Sequence, residues 1–565
     1  MFEVLDRSGP ARSGRWNVGE GELRTPNLLF IDSEVRSQEG EEGMIYFEEG
    51  EFHVLSSKEE MAVLPAQRKI PLSVVQGQID EGWNSIAVRA LPEGIAVKGE
   101  GELLSLTTGF ELRRDPMLLV DSLVRLREEG GHSRIIFVPG LMDVSNLALL
   151  VYLGVDLMDT SALVHQSRRG ILSMPEGMVP ASEMPWVVEE HTESILGLNL
   201  RMAREELNRV RWALDRGRLR ELVEIRMNAT PWAVAALRHF DLRHQDFQEE
   251  RTPVTGDRVQ CNSKQSLFRP EVVRFRDRMR DRYRPPAHKE VLLLIPCSAR
   301  KPYSLSKTHR ILRSRLRSVP NWSRVHEVVV TSPLGTVPRE LELFFPAAHY
   351  DIPVTGDWDR FEEEMILDMV KGLLPRYRHA FLHMDGDILE GVDARRTCLD
   401  GPMSDASMDE LVDRLGEVCE DLEPVPWKQD RFHCMESLLR FQMGPGAESL
   451  MEGARVVGRY PREKIVRGGE QLGMLTPERG MVSLTMEGAE GLLPLERSWV
   501  EMGDFEMKGN LFAVGVEGAD PSLRVGDEAL VVRRGELQAV GVAKMSGGEM
   551  VESRRGEAVR VRHHR

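Results

Sequence analysis

The chain has 565 residues, a mass of 64.0 kDa, 41% hydrophobic and 29% charged residues, and a formal net charge of −16. This is globular composition, and the length suggests roughly three to five domains of about 100–200 residues each. Its apolar runs are too short to span a bilayer, no secretory leader is visible at Met1-Phe2-Glu3-Val4, and the five cysteines form neither a disulfide framework nor a CxxC pair. A cytoplasmic protein away from membranes is expected, and the acidic total argues at first sight against nucleic acid.

Residues 1–250 read as mixed α/β. Short strands such as Leu28–Ile31 and Ile135–Val138 alternate with helices, one carrying Met202, Leu207, Val210 and Leu214 at helical spacing. Residues 251–287 read as a basic connector. From Lys264 to Glu327 there are 17 Arg/Lys and 5 Asp/Glu, a local net of +12 that leaves −28 on the rest. Arg274, Arg276, Arg278, Arg280, Arg282 and Arg284 stand at every second position, followed by Arg310, Arg313, Arg315 and Arg317. Such a segment suits either an exposed phosphate track or a solvated helix face paired with the acidic remainder.

Residues 288–428 carry the clearest pattern, strands alternating with helices as in a parallel sheet covered on both faces, a three-layer α/β/α domain. Strands are expected at Glu290–Pro296, Val325–Thr331, Tyr350–Val354 and His379–Met384. Helices are expected near Ser306–Leu316, Pro338–Phe345 and Glu362–Leu374. Ligands in such sheets bind beyond the carboxyl ends of strands, which places Cys297, Ser332 and Asp385 at one crevice. Residues 429–496 read as a small α+β module, and residues 497–565, with short strand-like runs between turns, as a compact β-barrel.

The run Pro296-Cys297-Ser298-Ala299-Arg300-Lys301-Pro302-Tyr303-Ser304-Leu305-Ser306-Lys307-Thr308-His309 follows the first central strand. It holds a thiol, an amine, a phenol, hydroxyls and an imidazole. Neighbouring cations favour thiolate at Cys297, and His309 could act as acid or base if its helix folds back. The alternative is a small buried cysteine among surface charges.

This run resembles the PC-x3-KPY-x2-S-x2-H signature of the archaeosine synthases, archaeal tRNA-modifying enzymes related to tRNA-guanine transglycosylases. Thr331–Gly335 and Tyr350–Trp358 are also similar to that family's central domain. Gly154-Val155-Asp156-Leu157-Met158-Asp159 and Arg168-Arg169-Gly170 resemble the transglycosylase stretch whose second aspartate is the nucleophile, a place held here by Asp159. The zinc-binding CxCxxC that follows it in transglycosylases is missing, because Met174–His191 contains no cysteine and His191 stands alone. The resemblance thus implies no metal cofactor, a degenerate TIM-barrel-like N-terminal domain, and Asp159 as a relic or structural carboxylate. Gly509–Val516, Val525–Glu528, Ala539–Ala543 and Gly556 resemble a PUA RNA-binding domain.

The resemblance further implies addition of an amine, from free lysine, to the nitrile of 7-cyano-7-deazaguanine at position 15 of tRNA. A separate radical-SAM partner would then complete archaeosine, and a homodimer is possible for the family. Cys297 is expected to form a thioimidate or to line the site, His309 to shuttle protons, and Lys301 and Tyr303 to stabilise the developing anion or hold a phosphate. Ser306 and Ser332 would be orienting hydroxyls. Asp351, Thr355, Gly356, Asp357 and Asp385 are expected at the substrate. Arg276, Arg278, Arg280, Arg282, Arg533, Arg534, Arg554 and Arg555 are expected on RNA, with Arg560 and Arg562 beside them. Two rival readings are a base-exchanging transglycosylase using Asp159 and a non-catalytic tRNA-binding subunit.

Overall fold

The computed structural model describes residues 2–30, 43–48, 51–55, 60–65, 85–88, 101–106, 111–189, 194–353, 357–385 and 389–565. Thr355, Gly356 and His191 lie outside the described residues. The chain divides into two compact units. One comprises Met1–Thr252, Phe512–Val516 and Gly548–Ala558. The other comprises Pro253–Leu511, Glu517–Gly547 and Val559–Arg565.

In the first unit, Phe2–Ser8, Ala11–Val18 and Gly21–Thr25 form an antiparallel sheet. An eight-stranded ladder runs in the order Glu60–Pro65, Glu51–Leu55, Gly43–Glu48, Asn27–Phe30, Leu157–Asp159, Ile135–Val138, Leu103–Leu106 and Ser85–Val88. Its pairs are parallel from Gly43–Glu48 to Ser85–Val88. Its two end strands, Glu60–Pro65 and Ser85–Val88, lie near each other, with no hydrogen-bonded pairing between them among the described residues. The long helix Ile195–Leu214 is capped by Ser194, whose side chain accepts from the Gly197 amide, and buries Leu207, Val210 and Leu214. Those residues share one face because 3.6 residues make a turn.

The second unit is built on a five-stranded sheet in the order Gly335–Pro338, Val325–Thr331, Val291–Pro296, His379–Leu382 and Arg395–Arg396. The pairs are parallel, except that Gly335–Pro338 runs against Val325–Thr331. Val291 to Ile295 and the whole of Val325–Thr331 are buried, as strands covered on both faces must be. Gly335 makes the reversal at φ +77°, and a Cβ there would sit 2.1 Å from Met369 Sδ. The region read as a helix near Pro338–Phe345 starts on the last residue of this antiparallel strand and continues as a short 3-10 turn, Arg339–Leu341. The chain turns back along the sheet before a helix can begin.

The helices Lys307–Leu316 and Arg360–Leu373 agree with the sequence reading within two residues. Arg455–Arg459, Arg462–Arg467, Glu470–Leu475 and Val482–Leu484 form an antiparallel sheet after the helix Trp427–Met443, an α+β arrangement. Toward the C-terminus, Trp499–Met502 pairs parallel with Glu528–Arg533, which pairs antiparallel with Glu536–Ala543, and that strand pairs with Glu557–His564.

The supposed connector corrects an expectation. Pro270–Asp281 is an α-helix, and Arg274, Arg276 and Arg278 on it are buried. Alternation along the chain does not mean one exposed face on a helix, where a two-residue step turns about 200°. Arg274 Nη1 donates to the Pro253 carbonyl at 2.8 Å, and Arg276 donates to the carbonyls of Leu267 at 2.6 Å and Pro333 at 3.1 Å. Burial pushes the Arg276 guanidinium down to about 10. Arg274 and Arg276 are therefore interior struts, and Arg278 is buried with them, rather than forming an open phosphate track. Arg282 is half-buried, with Nη1 on the Gln442 carbonyl, while Arg280 is exposed beside Asp277.

Candidate active site

The strand pairing fixes where the chemistry converges. Pro296 pairs with Val330 and Leu294 with Leu382, so Cys297, Ser332 and Asp385 follow the same end of three adjacent strands. The thiol of Cys297 is partly exposed. Lys301 precedes a cis proline, and its Nζ lies 4.0 Å from the centre of the Tyr350 ring. That Nζ is shielded from solvent and has no hydrogen-bond partner. Burial pushes its pKa below the ordinary lysine value, opposed by the charges of Cys297, Asp351 and Cys261. An ammonium over a phenol face gains cation–π attraction but no proton acceptor. The site thus combines a reachable sulfur with an amine that gives up its proton more readily than a surface lysine.

The other signature residues build the frame around this pair. Ser306 Oγ accepts from the His309 amide at 3.1 Å and caps the helix Lys307–Leu316. The S-x-x-H spacing is that of an N-cap and its third helical residue. Ser306 is thus spent on the cap, rather than held out to a substrate. Ser306→Ala should cost about 1 kcal/mol of unfolding free energy, checked by urea titration. A cost under a few tenths would show that the cap carries nothing.

His309 is buried, and its Nδ1 accepts from Arg339 Nη2 at 3.0 Å. Its ring also hydrogen-bonds the backbone at Pro296. Burial, followed by the adjacent Arg339 charge, pushes its pKa down to about 3. A neutral ring held at both ends is a poor proton shuttle, in contrast to the expected role. It instead anchors the strand end that carries Cys297.

Tyr303 is fully buried. Its hydroxyl meets Tyr350 Oη at 2.5 Å, and Tyr350 Oη meets Thr331 Oγ1 at 2.6 Å. Burial raises the pKa of both phenols. Tyr303 cannot reach a tRNA phosphate from there. It fixes the Tyr350 ring on which Lys301 rests.

Arg339, Glu327, Glu342 and Tyr350 were missed as site residues in the sequence. Arg339 reaches Glu327 Oε2 through Nε at 3.1 Å and Glu342 Oε2 through Nη1 at 3.0 Å. Glu342 Oε2 also accepts from the Ser304 amide at 2.9 Å. These buried charges tie the signature loop to the next strand. A basic residue beside two acids is common in sequence, so nothing in the spacing singled them out.

The remaining expected residues are dispersed. Ser332 Oγ donates to Glu362 Oε1, on the first turn of Arg360–Leu373. Asp351 is exposed and paired with Arg258. Asp385 is exposed and accepts from Cys398 Sγ at 3.3 Å, and Asp357 is exposed. Asp159 is buried, with Oδ1 accepting from the Ser161 amide at 2.8 Å and Oδ2 from the Gly140 amide at 3.0 Å. Burial raises its pKa. Arg533 is hydrogen-bonded to the Phe505 carbonyl and Arg534 is paired with Asp504, both near the surface. Arg554, Arg555 and Arg560 are exposed, whereas Arg562 is drawn in to Glu528 and the Leu484 carbonyl.

A cavity of about 470 Å³ is lined by Arg313, Arg339, Trp322, Trp427, Arg431 and Tyr460, among others, but not by Cys297 or Lys301. Its cations Arg313, Arg339 and Arg431 are paired with Glu327, Glu342 and Glu463. It offers little unspent charge to a ligand.

An α/β core with a thiol and a buried amine at one sheet end, followed by a further β domain, makes a multidomain protein with the side chains of an active site at the carboxyl end of its sheet. A model of a domain of unknown function (DUF5591) matches residues 272–415, and the PUA domain model matches residues 501–565. The chain is 30% identical to the archaeosine synthase subunit alpha of Methanosarcina acetivorans, with all of this chain and 99% of that protein covered. It is 31% identical to the archaeosine synthase of Haloferax volcanii, over all of this chain and 99% of that protein. It is also 27% identical to the tRNA-guanine(15) transglycosylase of Methanothermobacter thermautotrophicus, over all of this chain and 88% of that one. The chain belongs to the archaeosine synthase family.

Proposed function

We propose that this protein acts in archaeosine biosynthesis, adding the amine of free lysine to the nitrile of 7-cyano-7-deazaguanine at position 15 of tRNA. The observation that carries this reading is the buried, unpartnered Lys301 Nζ beside Cys297 at the sheet's carboxyl end. Nitrile addition needs a nucleophile and a proton for the nitrogen that becomes anionic. The Cys297 sulfur attacks the nitrile carbon, the thiol proton passes through Lys301 to the nitrile nitrogen, and a thioimidate forms. The amine of free lysine then adds to that carbon, and the C–S bond breaks to release amidine and restore the thiol. No oxidant or reductant is consumed, and a separate radical-SAM enzyme would cleave the lysine adduct afterwards.

The target base must leave the tRNA core to reach Cys297. The PUA domain would grip tRNA through shape and backbone, with Arg533, Arg534, Arg554 and Arg555 as phosphate contacts and Arg280 as a further one. Base exchange through Asp159 is less favoured, because both its carboxylate oxygens are held by backbone amides.

The test is nucleoside mass spectrometry on nitrile-bearing tRNA incubated with the protein and lysine. The expected product is heavier by one lysine, and the Cys297→Ala variant should form none. Intact-protein mass spectrometry without lysine should capture a thioimidate in the native chain alone. Full activity in Cys297→Ala would replace the covalent route by direct amine attack. No adduct with any amine donor would remove the proposal.

A further inference from the structure

In the first unit, three side chains converge on a single point. His239 Nε2 lies 2.7 Å from Asp121 Oδ1, and His244 Nε2 lies 2.6 Å from the same oxygen. The three ligand atoms all fall within 4.8 Å of one another. The two imidazoles stand edge to face, their centres 5.7 Å apart. Asp121 sits on the helix Pro116–Gly130, His239 on the helix Pro231–Arg243, and His244 is the first residue beyond that helix.

We propose that Asp121, His239 and His244 form a zinc site that staples these two helices. Two imidazole nitrogens and one carboxylate oxygen are a borderline donor set, which suits Zn²⁺ better than Mg²⁺ or Ca²⁺. In a tetrahedral site with bonds of about 2.0–2.1 Å, ligand atoms stand roughly 3.3 Å apart. The observed separations of 2.6 and 2.7 Å need to open by less than about 1 Å, within reach of side-chain rotation. On binding, each imidazole offers its Nε2 lone pair and carries its proton on Nδ1.

The Asp121 side chain is 49% exposed and those of the histidines 17% and 20%, so an ion can enter from solvent. Three protein ligands leave a fourth position for water. The two helices pack against each other but lie more than a hundred residues apart in the chain, so an ion between them closes a long loop. This site is separate from the segment Met174–His191, where the family resemblance implies no metal, and it is independent of the proposed tRNA chemistry.

The hydrogen-bonded trio would also be stable without metal, so the experiment separates the two cases. Metal-stripped full-length protein is titrated with Zn²⁺ by calorimetry, beside His239→Ala, His244→Ala and the milder Asp121→Asn. One ion per chain is expected, with affinity lost at least about 100-fold in either histidine variant, since outer-shell partners alone are worth 10- to 100-fold. Zinc should raise the melting temperature of the native protein and of neither histidine variant. Co²⁺ in the same site should give visible bands without a thiolate charge-transfer band. Absence of stoichiometric binding overturns the proposal. So does binding that the substitutions leave unchanged, or a thiolate band showing that a cysteine holds the ion. If a variant unfolds, the cobalt spectrum of the native chain decides alone.

Discussion

Replacing Lys301 by arginine is expected to lower the rate of lysine adduct formation by about 10²- to 10⁴-fold, the usual worth of a positioned general acid–base group. Arginine keeps the positive charge and much of the length but cannot release its proton near neutrality. If charge alone mattered, the variant would work. Burial disfavours the ammonium here and no hydrogen-bond acceptor holds it, which outweighs the opposing charges of Cys297, Asp351 and Cys261. Its pKa lies below the ordinary lysine value, so more free amine is present at a given pH than on a surface lysine. Lowering the pH protonates that amine, so kcat/KM should fall on the acid side of the Lys301 pKa and rise above it. Lys301→Arg should be slow throughout and lack that acid limb. Single-turnover rates on nitrile-bearing tRNA across pH read both effects. Near-native rates with an unchanged profile would mean that Lys301 only balances charge.

The second large effect concerns stability. Arg339→Met should destabilise the protein by about 3–5 kcal/mol at neutral pH, the range found when one partner of a buried ion pair is removed. The variant takes one cation from two buried carboxylates, leaving Glu327 with Arg313 alone and Glu342 with only the Ser304 amide and the Tyr460 hydroxyl, and it removes the donor to His309 Nδ1. Glu327 is instructive. Burial raises its pKa, yet the Arg339 and Arg313 charges outweigh burial and hold it below the ordinary glutamate value. A lowered carboxylate pKa contributes stability that is present above the unfolded pKa and lost as pH falls through the folded one. Without Arg339 the Glu327 carboxyl protonates more readily, so the deficit should shrink toward acid pH. Urea titrations at neutral and acid pH measure both values. A neutral-pH loss below about 1 kcal/mol would contradict the assigned role.

How far the sequence could be read depended on whether a residue's role is local. Val291–Pro296 was legible as a buried strand because a continuous apolar run suits a sheet covered on both faces, and Val325–Thr331 followed from its place in the strand–helix alternation. The arginine row was misread because its spacing suggested an exposed track, whereas a helix turned Arg274, Arg276 and Arg278 into the interior. Within the signature, Cys297 is left partly exposed and the Lys301 Nζ without a hydrogen-bond partner, so both stay open to the proposed chemistry. Ser306, Tyr303 and His309 were legible as important but given catalytic tasks that their burial and hydrogen bonds do not leave open.

By itself the sequence determined the parallel α/β core and the dense group of reactive side chains after its first strand. These follow from local periodicity and from residues adjacent in the chain. Only the tertiary structure decided which of those side chains remain available. Availability depends on partners such as Arg339 and Tyr350, tens of residues away, brought near by packing. The −16 total belongs to the first kind of information. The fate of the arginines within the +12 stretch, some spent as internal struts and others left at the surface, belongs to the second.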